Sequence, residues 1–78
     1  MDNLSVEDKK KLAADLTTPA HVLEKLSKDE DIDVRWRVAN NPSTPPRVLE
    51  TLSKDENLKV RSSVAENPNT PTNVLETM

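Results

Sequence analysis

A 26-residue period constrains this chain more than any other feature: residues 21–46 align without a gap over residues 47–72, and sixteen of the 26 positions are identical. The shared positions read Val-Leu-Glu, Leu-Ser-Lys-Asp-Glu, Val-Arg, Val-Ala, Asn-Pro and Thr-Pro, with Val22, Val48 and Val74 in register. The register runs outward in both directions, into a worn half-repeat over residues 5–20 and a partial repeat over 73–78. A period between about 20 and 50 residues marks architectures in which one unit is too small to bury its own apolar face and shares a core with its neighbour. The 78 residues leave room for a single domain of such units.

Each unit divides into two helical pieces at its capping residues. Thr18, Thr44 and Thr70 each precede a proline, at 19, 45 and 71, the pattern of a helix N-cap followed by proline at the first helical position. The helix expected there carries Val22, Leu23 and Leu26, then Val48, Leu49 and Leu52, along one stripe. The other piece is expected to begin after Ser5, Asp31 and Asn57, three N-cap residues spaced by the period, with Ser5 and Asp8 placed for a capping box. Its apolar stripe is read as Ile32, Val34, Val38 and Ala39, matching Leu58, Val60, Val64 and Ala65. Asn41-Pro42 and Asn67-Pro68 end it, since proline lacks the donor and disfavours helix in the residue before it. Helices of about nine residues are unstable alone in water, so short connections and shared cores predict an all-α, short solenoid of stacked two-helix repeats. Period two is nowhere sustained, which argues against strands.

Composition narrows the function. There is no Cys and no Gly, so disulfides, thiolate sites and glycine-built phosphate loops are excluded. No run approaches the roughly 18 apolar residues of a transmembrane helix and no secretory signal is evident, so a cytoplasmic location and no membrane contact are expected. On that reading Asn3-Leu4-Ser5, a glycosylation triplet, goes unused. A net charge of −3 argues mildly against broad nucleic-acid binding.

The string Val-Arg-x-x-Val-Ala-x-Asn-Pro-x-Thr-Pro-x-x-Val-Leu-Glu-x-Leu-Ser-x-Asp, which begins at Val34 and returns from Val60, resembles the leucine-rich repeat variant family, related in style to HEAT-like repeats. The resemblance covers nearly the whole chain from about Val6 onward. It implies a right-handed superhelix of stacked α and 3₁₀ pieces, so that one of the two pieces per repeat is open to being 3₁₀. The family's founding type also carries a cysteine-ligated iron–sulfur cluster, which a chain without Cys cannot hold. No cofactor is therefore expected.

Several charged residues invite a chemical reading and have a structural one beside it. Arg35 and Arg61 share a repeat position next to core valines, where a guanidinium needs carboxylate or carbonyl partners. Arg35 is expected to reach Asp29 or Asp55 and Arg61 to reach Asp55, forming a structural ladder in preference to a ligand site. Asn41 and Asn67 are expected to bond local backbone and belong to the same scaffold. The segment 29–33 opens like a calcium loop, but the sixth and twelfth positions hold Val34 and Asn40 where Gly and Glu are required. Asp31 serves better as a helix cap. His21, the sole histidine, has no partner at a recognisable spacing, so neither metal binding nor general-base duty is assigned to it, and no enzymatic activity is expected.

Positions where the repeats differ are freer to serve function. Trp36 and Arg37 correspond to Lys10 and Lys11 in the worn copy and to Ser62 and Ser63 in the next. Away from the Val34 and Val38 stripe, Trp36 is expected to be largely exposed. It is either a partner-binding anchor or a ring laid along the neighbouring repeat. Glu24, Glu50 and Glu76 form an acidic column on one helix, while Lys9, Lys10, Lys11, Arg35, Arg37 and Arg61 make the other basic, so the two faces are expected to differ in sign. The leading expectation is a protein-interaction module using Lys10, Lys11, Trp36, Arg37, Ser62 and Ser63, or the open C-terminal end. The alternatives are nucleic-acid backbone binding along the basic helix face and self-association, as a homodimer, through exposed Leu75 and Met78.

Overall fold

The computed structural model describes residues 3–78, which form six helices and, among the described residues, no strand. They are α1 (Val6–Ala14), α2 (Ala20–Leu26), α3 (Ile32–Asn40), α4 (Pro46–Leu52), α5 (Leu58–Glu66) and α6 (Thr72–Thr77). All six are α-helical, so neither piece of the repeat is a 3₁₀ helix. A trace of 3₁₀ bonding survives at the starts of the short helices, where Val22, Val48 and Val74 donate to the carbonyls of Pro19, Pro45 and Pro71 at 3.0 Å.

The nine-residue helices α1, α3 and α5 begin where their caps predict. The Ser5 hydroxyl accepts from Asp8 N, the Asp31 carboxylate from Asp33 N and Val34 N, and the Asn57 amide oxygen from Lys59 N and Val60 N. Each thereby serves amide donors that the first turn leaves without a helical partner. α3 and α5 stop at Asn41 and Asn67, both extended and both followed by proline.

The threonines do a different job from the one expected. The N-cap positions of α2, α4 and α6 are Pro19, Pro45 and Pro71, with ψ of 151°, 153° and 148° and no side-chain cap bond. Thr18, Thr44 and Thr70 turn the other way, each donating its hydroxyl to a carbonyl in the last turn of the preceding long helix: Leu12, Val38 and Val64. Thr44 Oγ1 lies 2.7 Å from Val38 O and is fully buried. Local spacing cannot separate the two roles, because the threonine stands between one helix end and the next helix start and both offer unsatisfied backbone groups.

The long helices lie side by side in the order α1, α3, α5, and the short helices connect them. The core between the two sets is Ala13, Leu23, Leu26, Val34, Val38, Ala39, Val48, Leu49, Leu52, Val60, Val64 and Val74. Ile32 and Leu58, expected in this stripe, are instead 46% and 68% exposed. Each stands two residues before a core valine, about 200° around the helix, and so points to the far side.

Candidate functional site

The candidate residues are held by two ladders of hydrogen bonds that cross the repeat junctions. In the first, Arg35 Nε donates to Asp55 Oδ2 at 2.7 Å and Nη2 to Oδ1 at 3.4 Å. Its Nη1 donates to the carbonyls of Asp29 and Glu30 at 2.8 and 3.1 Å. Asp29 is thus reached through its backbone, while its carboxylate receives Lys9 Nζ at 2.9 Å. Lys9 precedes Arg35 by one period and belongs to the ladder, a membership visible in the 26-residue register but hidden by the change of residue type. Arg61 reaches Asp55 through its carbonyl, at 2.6 Å from Nη1, and has no carboxylate partner among the described residues. Asp29 and Asp55 also accept from the amides of Asp31 and Asn57, which fixes the turn ahead of each long helix.

In the second ladder, Asn41 Nδ2 donates to Ala13 O and Asp15 O at 2.9 and 3.0 Å, and Asn67 Nδ2 to Ala39 O and Asn41 O at 2.8 and 3.0 Å. Each Asn Oδ1 accepts from the amide two residues on, at Ser43 and Asn69. An end-of-helix carbonyl has no helical donor, and the next repeat's asparagine supplies one. The expected local role is therefore joined by a longer-range one. A parallel rung runs from Ser43 Oγ to Leu16 O at 2.8 Å and from Asn69 Nδ2 to Pro42 O and Thr44 O.

Protonation equilibria report the same contacts. Bonding to Asp55 raises Arg35 above its usual value against the opposing effect of burial. Burial pushes Asp29 up, but the Lys9 ammonium and the Asp31 amide outweigh it, leaving Asp29 below the ordinary carboxylate range. Asp33 is depressed in the same way: burial opposes ionisation and the cations of Lys10 and Arg37 prevail. Lys10 is raised by its bonds to Asp33 and then Glu7.

The variable positions do not assemble into a bare basic patch. Lys10 Nζ lies 3.2 Å from Asp33 and 3.4 Å from Glu7, and Arg37 Nε lies 3.3 Å from Asp33, so both are compensated by acids of the long helices. Arg47, on a short helix, pairs with Glu24 at 3.1 Å. Lys10, Arg37 and Arg47 are thus offset locally by Asp33, Glu7 and Glu24. Trp36 is half-buried against the core, not largely exposed. Lys59 Nζ sits 4.4 Å from its ring centroid, making the same junction contact that Lys10 and Asp33 make one repeat earlier. A cation–π pair stands in for the ion pair. Ser63 is 7% exposed and drops out of any working surface, whereas Lys11 and Ser62 remain exposed.

The end of the row beyond α5 has another character. Positions that are buried inside the protein become open there: Leu49 is 0% and Leu75 43% exposed, Leu52 is 1% and Met78 45% exposed. Ala39 is buried and Ala65 exposed; Arg35 is buried and Arg61 half-exposed. Ser53, Leu58, Arg61, Ser62, Ala65 and Met78 line a depression of about 230 Å³. At the opposite end the position of Val34 and Val60 is held by exposed Asp8. Among the described residues no group of three or more His, Cys, Asp or Glu is placed to hold a metal, and no helix is long and apolar enough to cross a membrane. Neither a family model, nor a curated protein, nor a solved structure matches the chain.

Proposed function

We propose that this chain is a short right-handed α-solenoid of the leucine-rich repeat variant type, acting as a non-enzymatic module that binds other proteins through the long-helix surface where its repeats differ. The observation that carries the reading is that most residues the repeats share are taken up by the core and the two ladders, while Lys11 and Ser62, at positions where the repeats differ, stay exposed. Stacking fixes the shared residues and leaves the variable ones free to meet a partner. Nucleic-acid binding along the long helices has less support, because Lys9, Lys10, Arg35 and Arg37 all have acidic partners within the chain.

A photo-crosslinking residue placed at Lys11 or Ser62 should capture a discrete protein partner in cells, while one at Glu50 on a short helix should not. Salt-sensitive binding of DNA or RNA that disappears in Lys10→Glu/Arg37→Glu would instead favour the nucleic-acid reading.

A further inference from the structure

A depression of about 160 Å³ opens between the C-terminal halves of α1 and α3, lined by Ala14, Trp36, Arg37, Asn40, Asn41 and Pro42. Its lining holds donors that the fold leaves unused. Arg37 gives Nε to Asp33, while its Nη1 and Nη2, the Trp36 indole N–H and the Asn40 side-chain amide have no hydrogen-bond partner among the described residues. Asn41, by contrast, is engaged with Ala13 O, Asp15 O and Ser43 N. No carboxylate lines the depression. Carbonyls at the two helix ends, which would repel an anion, are met by Thr18, Asn41, Thr44 and Asn67.

Stacking does not require this donor set. Between α3 and α5 the positions of Trp36, Arg37 and Asn40 hold Ser62, Ser63 and Glu66, the second of them buried and the third an exposed acid. Trp36 is also held in place before any partner arrives, half-buried against the core with Lys59 of α5 at 4.4 Å from its ring centroid. A fixed tryptophan beside an arginine with spare donors is the combination that anchors protein interfaces. Small-molecule sites run from about 300 Å³ upward, so this depression suits one side chain carried by a larger partner.

Resting on the protein-binding reading above, we infer that the depression receives a glutamate side chain from an acidic segment of a partner protein. The carboxylate pairs with the Arg37 Nη groups and accepts from Asn40 and the indole N–H, while its methylenes pack against Trp36, Ala14 and Pro42. Charge complementarity selects a single carboxylate over a run of phosphates, because Asp33 is bonded to Arg37 and exposed Asp15 follows Ala14.

The test titrates the isotope-labelled full chain with the capped peptide Ser-Leu-Glu-Leu-Ser and follows the indole N–H of the single tryptophan by NMR. Saturable shifts of that resonance and of the Asn40 side-chain amide are expected, with a dissociation constant of about 1 mM or tighter. The same peptide with Gln for Glu, or Arg37→Gln in the chain, should each weaken binding about tenfold, as expected for a charge-assisted hydrogen bond. Arg37→Lys should restore part of the loss. Ala14→Glu, which brings a competing carboxylate and keeps Arg37, should abolish binding, and Glu66→Gln in the next junction should leave it unchanged. Thermal melts verify that each variant folds.

Absence of saturable shifts up to about 10 mM, equal binding of the Glu and Gln peptides, or indifference to both Arg37→Gln and Ala14→Glu overturns the inference. Single-stranded DNA that moves the same resonances at lower concentration than the peptide gives the site to phosphate and also overturns it. If crosslinking at Lys11 or Ser62 still captures a partner in any of these cases, the protein-binding reading stands and only the assigned partner chemistry fails.

Discussion

Replacing Asn67 tests the asparagine ladder at its most buried rung. Its Nδ2 satisfies the carbonyls of Ala39 and Asn41, and its Oδ1 accepts from Asn69 N at 2.9 Å. Asn67→Ala strands two acceptors and one donor. A buried group left unsatisfied costs about 1–3 kcal/mol, and with water reaching the exposed Asn69 side the total should be about 3 kcal/mol. Asn67→Asp keeps the acceptor for Asn69 but turns a carboxylate toward two carbonyl oxygens, and should cost more at neutral pH, about 4 kcal/mol or above. A chain of 78 residues has roughly 4–12 kcal/mol to lose, so the second variant stands near the limit of folding. Urea denaturation followed by the fluorescence of Trp36, the single tryptophan, measures both. The aspartate variant carries its own sign. Its folded-state pKa is raised above the unfolded value, so its penalty is present at neutral pH and shrinks as the pH falls through that raised pKa. Equal losses in the two variants, or losses below about 1 kcal/mol in both, would refute the proposed role of the ladder.

Four further outcomes follow from the same contacts. Arg35→Met leaves Asp55 buried without its cation and should cost about 3 kcal/mol, whereas Arg61→Met, at the same repeat position but without a carboxylate partner among the described residues, should cost under about 1 kcal/mol by the same urea assay. Because the folded state depresses Asp29, its contribution is held above the ordinary carboxylate pKa of 3.8 and lost as pH falls through the lower folded value; Asp29→Asn should flatten the acid limb of a stability–pH curve. Thr44→Asp separates the two threonine roles: a helix N-cap would tolerate it, but a buried donor to Val38 O would not, and a loss of about 2 kcal/mol or more in thermal melts is expected. Lys59→Ala should alter Trp36 emission and cost about 0.5 kcal/mol, the scale of a partly exposed cation–π contact.

Much of this architecture was legible from spacing because a repeat writes its constraints more than once. Ser5, Asp31 and Asn57 differ in type, yet their common spacing and capping chemistry located three helix starts. The prolines at 42 and 68 located two helix ends. Those are local properties, set by backbone donors within a few residues. The candidate surface was less legible for the opposite reason. Whether Trp36 is bare or covered depends on Lys59 in the next repeat, and whether Lys10 and Arg37 are open cations depends on Asp33 between them.

The sequence alone therefore determined the all-helical class, the repeat length, most helix boundaries and the pairing of Arg35 with an acid. These follow from propensity, capping and periodicity, which act over one or two helical turns. Only the tertiary structure decided the direction in which Thr18, Thr44 and Thr70 bond, the burial of Ser63 and the pairing of Lys10 with Asp33. The Lys10–Asp33 pair spans about one period of chain, a distance that a one-dimensional pattern does not contain, whereas each threonine bond spans six residues and chooses between two helix ends that both lie within reach.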